Sequence, residues 1–139
     1  MDTLKGTVQL AKALAHPTRL RILALLRQGP LPVCQITSVL HSVASTVSGH
    51  LNDLRHGGLV TEHRQHKFVY YSLSDTPQAV AVLNAIFQSL AEDAQLRQDA
   101  ALGESIRAMS PLIVCEGSPL WPDEGVGTGR TSRARGPRS

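Results

Sequence analysis

Apolar side chains recur at spacings of three and four along the first 110 residues, in segments separated by prolines and glycines. This spacing is typical of amphipathic helices. The first predicted helix ends near His16, and Pro17 then occupies the first turn of a second helix that runs to Gly29. The apolar positions of these two helices are Leu4, Val8, Ala11, Leu14, Ala15, Leu20, Ile22, Leu23, Leu25 and Leu26. The second helix has a wide apolar face, so we expect it to lie in the core.

Prolines at positions 30 and 32 interrupt this pattern, and two shorter helices are predicted after them. The third helix spans residues 34–40 and the fourth spans residues 45–56, with Val47, Leu51 and Leu54 on one face of the fourth. We expect Ser45 to cap the start of the fourth helix. The glycines at positions 57 and 58 should end it, because glycine readily adopts the left-handed conformation that a helix end favours.

Two runs of β-prone residues, 59–62 and 68–73, follow the fourth helix. They flank Arg64-Gln65-His66-Lys67, which predicts a hairpin with a polar, cationic tip. In a DNA-binding protein such a hairpin is called a wing, and we use that name for it here.

A fifth helix is predicted over residues 77–90, with Asp75 or Thr76 as its cap. One apolar face of this helix is expected in the core and a second against a partner subunit. The core positions are Val80, Leu83, Phe87 and Leu90, and the partner positions are Ala79, Val82 and Ile86. Residues 96–109 predict a sixth helix, and from Gly117 onward little remains to bury. We therefore expect a domain over residues 1–110 and a largely disordered extension over residues 111–139.

Length and composition agree with a single domain, since 139 residues with 42% hydrophobic content can bury one modest core. No apolar run approaches a membrane span, and the first residues do not resemble a signal peptide, so we expect a cytoplasmic protein. The formal net charge is +3, but residues 117–139 hold four arginines and only two acidic residues. Overall charge is thus weak evidence for nucleic-acid binding, which must be argued from the local placement of charge.

Short polar side chains cluster at the start of the fourth helix, where free backbone amides and the helix dipole also favour phosphate. We expect this helix end and the wing to contact the bases or phosphates of duplex DNA. The expected contact residues are Ser45, Thr46, Ser48, His50, Arg55, Arg64, His66 and Lys67. They could instead be a helix cap and solvated surface. The order of a buried scaffold helix, a polar helix and a cationic hairpin favours DNA contact.

Several blocks in this region resemble the winged helix-turn-helix repressors of the ArsR/SmtB family. They are Ala-His-Pro-Thr-Arg-Leu-Arg-Ile-Leu at residues 15–23, Ser-Thr-Val-Ser-Gly-His-Leu at 45–51, Leu54-Arg55, Gly58-Leu59-Val60, and Val-Tyr-Tyr-Ser-Leu at 69–73. The resemblance implies a mainly α fold with a small β-hairpin, made of five helices, a wing and an extra C-terminal helix. It also implies a homodimer, paired through its first and fifth helices, that leaves its operator on a metal, metalloid or redox signal. At Gly49 relatives often carry a longer basic or polar residue.

The segment 31–37 resembles the arsenic-sensing segment of the family, and only Cys34 matches a cysteine there. Pro32 and Thr37 stand where better-known members place further thiols. The resemblance implies trivalent arsenic or antimony, or a methylated arsenical, as inducer. A monosubstituted arsenical needs only two thiolates, which Cys34 and Cys115 could supply within one subunit or across the dimer. The two cysteines could alternatively form a redox or reactive-sulfur switch, or be structural.

Zinc binding is not expected, because the zinc-binding branch of the family uses carboxylates and histidines on the fifth helix and residues 77–90 contain neither. The histidines at positions 41, 56, 63 and 66 have no standard metal-ligand spacing. No catalytic motif is present either, so we do not expect an enzyme. A winged-helix protein-interaction module that does not bind DNA remains the alternative from another functional class.

Overall fold

The computed structural model describes residues 3–111 and residue 115. The fold is mainly α with a small antiparallel sheet, as the sequence predicts. Its elements are α1 (Thr3–Leu14), α2 (Pro17–Leu26), β1 (Leu31–Pro32), α3 (Val33–Leu40), α4 (Ala44–His56), β2 (Val60–Gln65), β3 (Phe68–Leu73), α5 (Pro77–Ser89) and α6 (Ala94–Arg107). Each predicted helix is present with bounds within two residues of the prediction, except that α2 ends at Leu26, three residues before the predicted end at Gly29.

The core lies around α2, as the width of its apolar face predicts. Ile22, Leu23 and Leu25 are almost completely buried. They share one hydrophobic cluster with the inward faces of α3, α4 and α5. The C-terminal helix α6 packs against α2 and α3. Gly103 permits this packing, because a Cβ atom there would lie 2.4 Å from Leu25 Cδ1.

Side-chain caps fix the starts of three helices, and one predicted cap is wrong. The Nδ1 atom of His16 accepts from the Thr18 amide at 3.1 Å, and Thr76 Oγ1 accepts from the Ala79 amide at 3.3 Å. Asp93 caps α6 in the same way. Ser45 does not cap α4, because the chain enters the helix one residue earlier and Val43 occupies the cap position without a side-chain hydrogen bond.

The wing belongs to a three-stranded sheet of order β1-β3-β2 rather than to an isolated hairpin. The short strand β1 pairs with β3 through Leu31 opposite Tyr71. In β2, Arg64 and Gln65 continue the ladder, so only His66 and Lys67 form the turn, with His66 at φ 59°. Through its pairing with β3, strand β1 joins the wing to the start of α3.

The apolar face of α5 differs in part from the prediction, and α1 leaves two large apolar side chains exposed. On α5, Leu83 and Phe87 are buried as predicted, but Ala79 lies in the core in place of Val80, which is 41% exposed. On α1, the side chains of Leu4 and Val8 are 75% and 44% exposed. A hydrogen bond of 3.4 Å from Gln78 Nε2 to Thr7 Oγ1 joins the two helices. The exposed apolar residues therefore lie on neighbouring helices.

The predicted C-terminal extension lies outside the described residues, apart from Pro111 and Cys115. Among the helices of the described part, none has the length and apolar character to cross a membrane.

Candidate nucleic-acid interface and cysteine site

The start of α4 exposes the short polar side chains that the sequence predicts to read DNA. Ser45, Thr46 and Ser48 are all exposed, while Val47 is completely buried and, with Leu51 and Leu54, fixes the opposite face of the helix against the core. Because Ser45 is not used as a cap, its hydroxyl also belongs to this exposed surface. The helix therefore presents a polar N-terminal end on a rigid apolar base.

The wing residues Arg64, His66 and Lys67 are exposed as well. Lys67 Nζ lies 5.7 Å from the centre of the Phe68 ring, and His63 stacks on Tyr70, its partner across the strands, with ring centres 5.8 Å apart. The end of the wing is therefore cationic, and the side chains of both Arg64 and Lys67 are exposed there.

Arg55 lies at the opposite end of α4 from Ser45 and connects this helix to the wing. Its guanidinium donates to Asn52 Oδ1 at 2.7 Å and lies 3.8 Å from the Glu62 carboxylate in β2. Burial, and then the neighbouring Glu62, raise the pKa of Tyr71 beside this pair. The structure thus places Arg55 apart from the polar helix start, beside the base of the wing.

His50 is half-buried and belongs to a polar network that was not predicted from the sequence. Its Nδ1 atom accepts a hydrogen bond from Arg19 Nε at 3.2 Å, and Arg19 also pairs with Asp53 at 2.5 Å. The ring of His16 lies 4.4 Å from that of His50. Burial, followed by the charges of His16 and Arg19, lowers the pKa of His50, while Asp53 acts in the opposite direction. The polar positions within the otherwise apolar helix α2 were the available signal for this network.

Gly49 lies in the middle of the exposed face of α4, where a Cβ atom would meet nothing within 4 Å. Its backbone is helical, so alanine fits without strain. We expect Gly49→Ala to raise the free energy of unfolding by about 1 kcal/mol, because alanine is the better helix former. Urea denaturation measures this change, and a loss of stability would mean that the position is not open.

The two cysteines, which are 81 positions apart, meet in one subunit. Cys34 lies in the first turn of α3 and forms a disulfide with Cys115, with their Cα atoms 5.2 Å apart. Both residues are less than a tenth exposed. This Cα separation lies within the range that disulfides require. The disulfide thus joins the start of α3 to Cys115 within this chain.

The surroundings of the pair connect α3 to the end of α6. Gln35, the buried neighbour of Cys34, donates through Nε2 to the carbonyl oxygens of Ile106 and Met109 at 3.3 and 3.2 Å. Within residues 3–111 and 115, no group of three or more histidine, cysteine or acidic side chains could hold a metal ion. Among the described residues, the site therefore consists of two sulfur atoms joined in a disulfide, without a third metal ligand.

Comparison with known proteins finds bacterial transcriptional regulators among the relatives of this chain. Residues 16–62, from the cap of α2 to β2, match the family model described as bacterial regulatory protein, arsR family. The regulator NmtR of Mycobacterium tuberculosis is 44% identical over 78 residues, which are 56% of this chain and 65% of that protein. The arsenic resistance regulator ArsR1 of Pseudomonas putida is 38% identical over 108 residues, covering 73% of this chain and 81% of that protein.

A solved structure shows the same architecture. It is the homodimeric winged helix-turn-helix DNA-binding domain of a possible ArsR-family regulator from Mycobacterium bovis, with a TM-score of 0.56 and 35% identity. The match covers 66% of this chain and 82% of that one. The order of helices, the wing and the relatives agree, and the chain belongs to the ArsR family of bacterial regulatory proteins.

Proposed function

We propose that this protein is a homodimeric, DNA-binding transcriptional repressor that leaves its operator when an inducer reacts with Cys34 and Cys115. The observation that carries the DNA-binding part is the exposed polar start of α4 beside a cationic wing. Backbone amides at a helix start and short hydroxyl side chains permit close approach to phosphates and base edges. Two such helices in a symmetric dimer would enter successive major grooves about 34 Å apart.

The dimer is supported by the apolar side chains that α1 and α5 leave exposed. Leu4, Val8 and Val80 lie on two helices joined by the hydrogen bond between Thr7 and Gln78. Large exposed apolar residues on adjacent helices are a feature of protein interfaces. The related domain from Mycobacterium bovis is homodimeric.

The inducer is proposed from the cysteine pair. Trivalent arsenic and antimony are soft and prefer thiolate ligands, and a monosubstituted trivalent arsenical needs two of them. After a cellular thiol reductant has converted the disulfide to two thiols, Cys34 and Cys115 supply two thiolates in one subunit, so a monosubstituted arsenical fits the site better than an inorganic ion that takes three thiolates. The related ArsR1 regulates arsenic resistance.

A second inducer class is favoured by the disulfide itself. Oxidation of the two thiols, or their reaction with reactive sulfur, needs no ligand beyond the pair. Either reaction would change how Cys115 is joined to α3, the helix that precedes α4.

Salt dependence tests the DNA-binding part of the proposal. Arg64 and Lys67 from two subunits supply four cations, so affinity for the DNA upstream of the gene should fall about a hundredfold between roughly 50 and 200 mM salt. Fluorescence anisotropy measures this change with the reduced protein. No binding at the lower salt concentration would instead favour a protein-interaction module.

Removing two hydroxyls from the start of α4 tests whether α4 is the helix that contacts the DNA bases, which we call the reading helix. We expect the double variant Thr46→Ala, Ser48→Ala to bind the operator about tenfold more weakly, because both hydroxyls would lose contacts with DNA. Ser105→Ala on the exposed face of α6 is the matched control and should bind like the wild type. Equal operator affinity of the double variant and the control would contradict the assignment of α4. Sedimentation should show a dimer for all three proteins.

A further inference from the structure

Arg19 connects the scaffold helix α2 to the reading helix α4 through its whole guanidinium group. Nε donates to His50 Nδ1 at 3.2 Å, one terminal nitrogen donates to the Lys12 carbonyl at 3.3 Å, and the other pairs with Asp53 at 2.5 Å. The side chain is only 19% exposed. Because the guanidinium is planar and each of its nitrogens has a partner, Arg19 is held in one orientation.

This contact determines where His50 carries its proton. A guanidinium group only donates hydrogen bonds, so the Nδ1 atom that it faces must present a lone pair. A neutral imidazole with a lone pair on Nδ1 carries its hydrogen on Nε2, at the other side of the ring. The Nδ1 atom of His16, whose ring packs on His50, likewise accepts a hydrogen bond, from the Thr18 amide.

The charges around His50 favour the same neutral form. Arg19 and His16 face the ring from α2, and Asp53 faces it from its own helix. Burial is the largest effect that lowers the pKa of His50, His16 and Arg19 lower it further, and the opposing effect of Asp53 is smaller. The neutral form is thus favoured at neutral pH and persists below the pH at which an exposed histidine becomes protonated.

We propose that Arg19 is a positioning residue that fixes the Nε2–H tautomer of His50, so that this point of the reading helix donates a hydrogen bond to the operator. The matching DNA group must then be an acceptor: a purine N7, guanine O6, thymine O4 or a phosphate oxygen. A donor group such as the amino group of cytosine or adenine is excluded at this contact. The proposal rests on the proposed function, because it requires α4 to enter a groove of DNA.

Nitrogen NMR tests the tautomer without DNA. In wild-type protein with ¹⁵N-labelled histidine at neutral pH, His50 should show a protonated Nε2 and an unprotonated Nδ1. Arg19→Lys keeps a positive charge for Asp53 but loses the planar guanidinium with its three hydrogen-bonding nitrogens. The signals of His50 should therefore shift towards a mixture of tautomers. A proton on Nδ1 in the wild type would overturn the proposal, and so would an unchanged tautomer in Arg19→Lys.

A matched pair of substitutions tests the donor role in DNA binding. The amide of asparagine in His50→Asn keeps an acceptor near the position of Nδ1 but has no donor at Nε2, whereas His50→Gln places a donor near Nε2. We expect operator affinity to fall about tenfold in His50→Asn and less in His50→Gln. Equal losses in the two variants would overturn the donor role.

Modified operators then identify the acceptor. Purines are replaced one at a time by their 7-deaza or 6-thio analogues, thymine by 4-thiothymine and phosphates by methylphosphonates. One replacement per half-site should weaken wild-type binding but not weaken His50→Asn further. If the wild type binds DNA but no replacement couples to His50, the proposal fails while the proposed function stands. If the wild type binds no DNA, the proposed function fails and the donor role with it, although NMR still decides the tautomer.

Discussion

Cys34→Ser and Cys115→Ser should each retain operator affinity and lose the response to phenylarsine oxide, a monosubstituted trivalent arsenical. In the reduced wild type, we expect this compound to weaken operator binding by about 10- to 100-fold, which corresponds to an ordinary allosteric coupling free energy. One arsenic atom must bind both sulfur atoms to join α3 to the chain beyond α6, so loss of either sulfur removes the link. Anisotropy titrations with and without the arsenical give the ratio of affinities for each variant.

Ser38→Ala is the matched control for these variants, because the Ser38 hydroxyl donates to the Cys34 carbonyl oxygen yet contributes no sulfur. It should respond like the wild type. A thiol oxidant such as diamide tests the second inducer class in the same assay, and its effect should also require both cysteines. Undiminished responses to both reagents in both serine variants would remove the cysteine pair as the sensor.

Arg21→Ala should destabilise the protein by about 3 kcal/mol, more than Asp99→Ala does. Arg21 in α2 makes two hydrogen bonds to the Asp99 carboxylate in α6, at 2.8 and 2.9 Å, and Gln95 makes a third at 2.9 Å. The Asp99 side chain is 4% exposed and that of Arg21 is 26% exposed. Loss of the arginine therefore leaves a buried carboxylate without a cationic partner, whereas loss of the aspartate leaves a cation that can reach water.

Urea denaturation under reducing conditions measures both variants. Arg97→Ala breaks the exposed pair between α6 and Glu92, which lies in the turn before that helix, and should cost less than about 1 kcal/mol. Equal losses for Arg21→Ala and Arg97→Ala would mean that the ion pair between Arg21 and Asp99 does not hold α6 in place.

The helices could be predicted from the sequence because each is long enough to show its apolar period and most are bounded by proline or glycine. Pro17, Thr76 and Gly58 mark ends that the structure confirms, with Gly58 at φ 80°. The strand β1 was not predicted, because it has only two residues and one of them is Pro32. It is assigned as a strand through its pairing with β3. Its formation depends on tertiary contact rather than on local preference.

The candidate site was predictable where it depends on exposure and less so where it depends on partners. Spacing alone shows that Thr46 and Ser48 lie away from the apolar face of α4, and the structure confirms their exposure. The hydrogen bond from Arg19 to His50 joins residues 31 positions apart, so the polar positions of α2 indicate a buried polar contact but not its partner. The proximity of Cys34 and Cys115 likewise depends on how α6 returns to α3.

The disulfide closes a ring of chain that contains α4, the wing, α5 and α6, which together hold the proposed reading surface. For a ring closed over 81 positions, the chain-entropy model predicts that the link disfavours the unfolded state by about 4.5 kcal/mol. The oxidised protein should then resist proteolysis longer than the reduced one. Thiol chemistry in the cell would in this way set the lifetime of the protein, and hence its abundance, as well as its affinity for DNA.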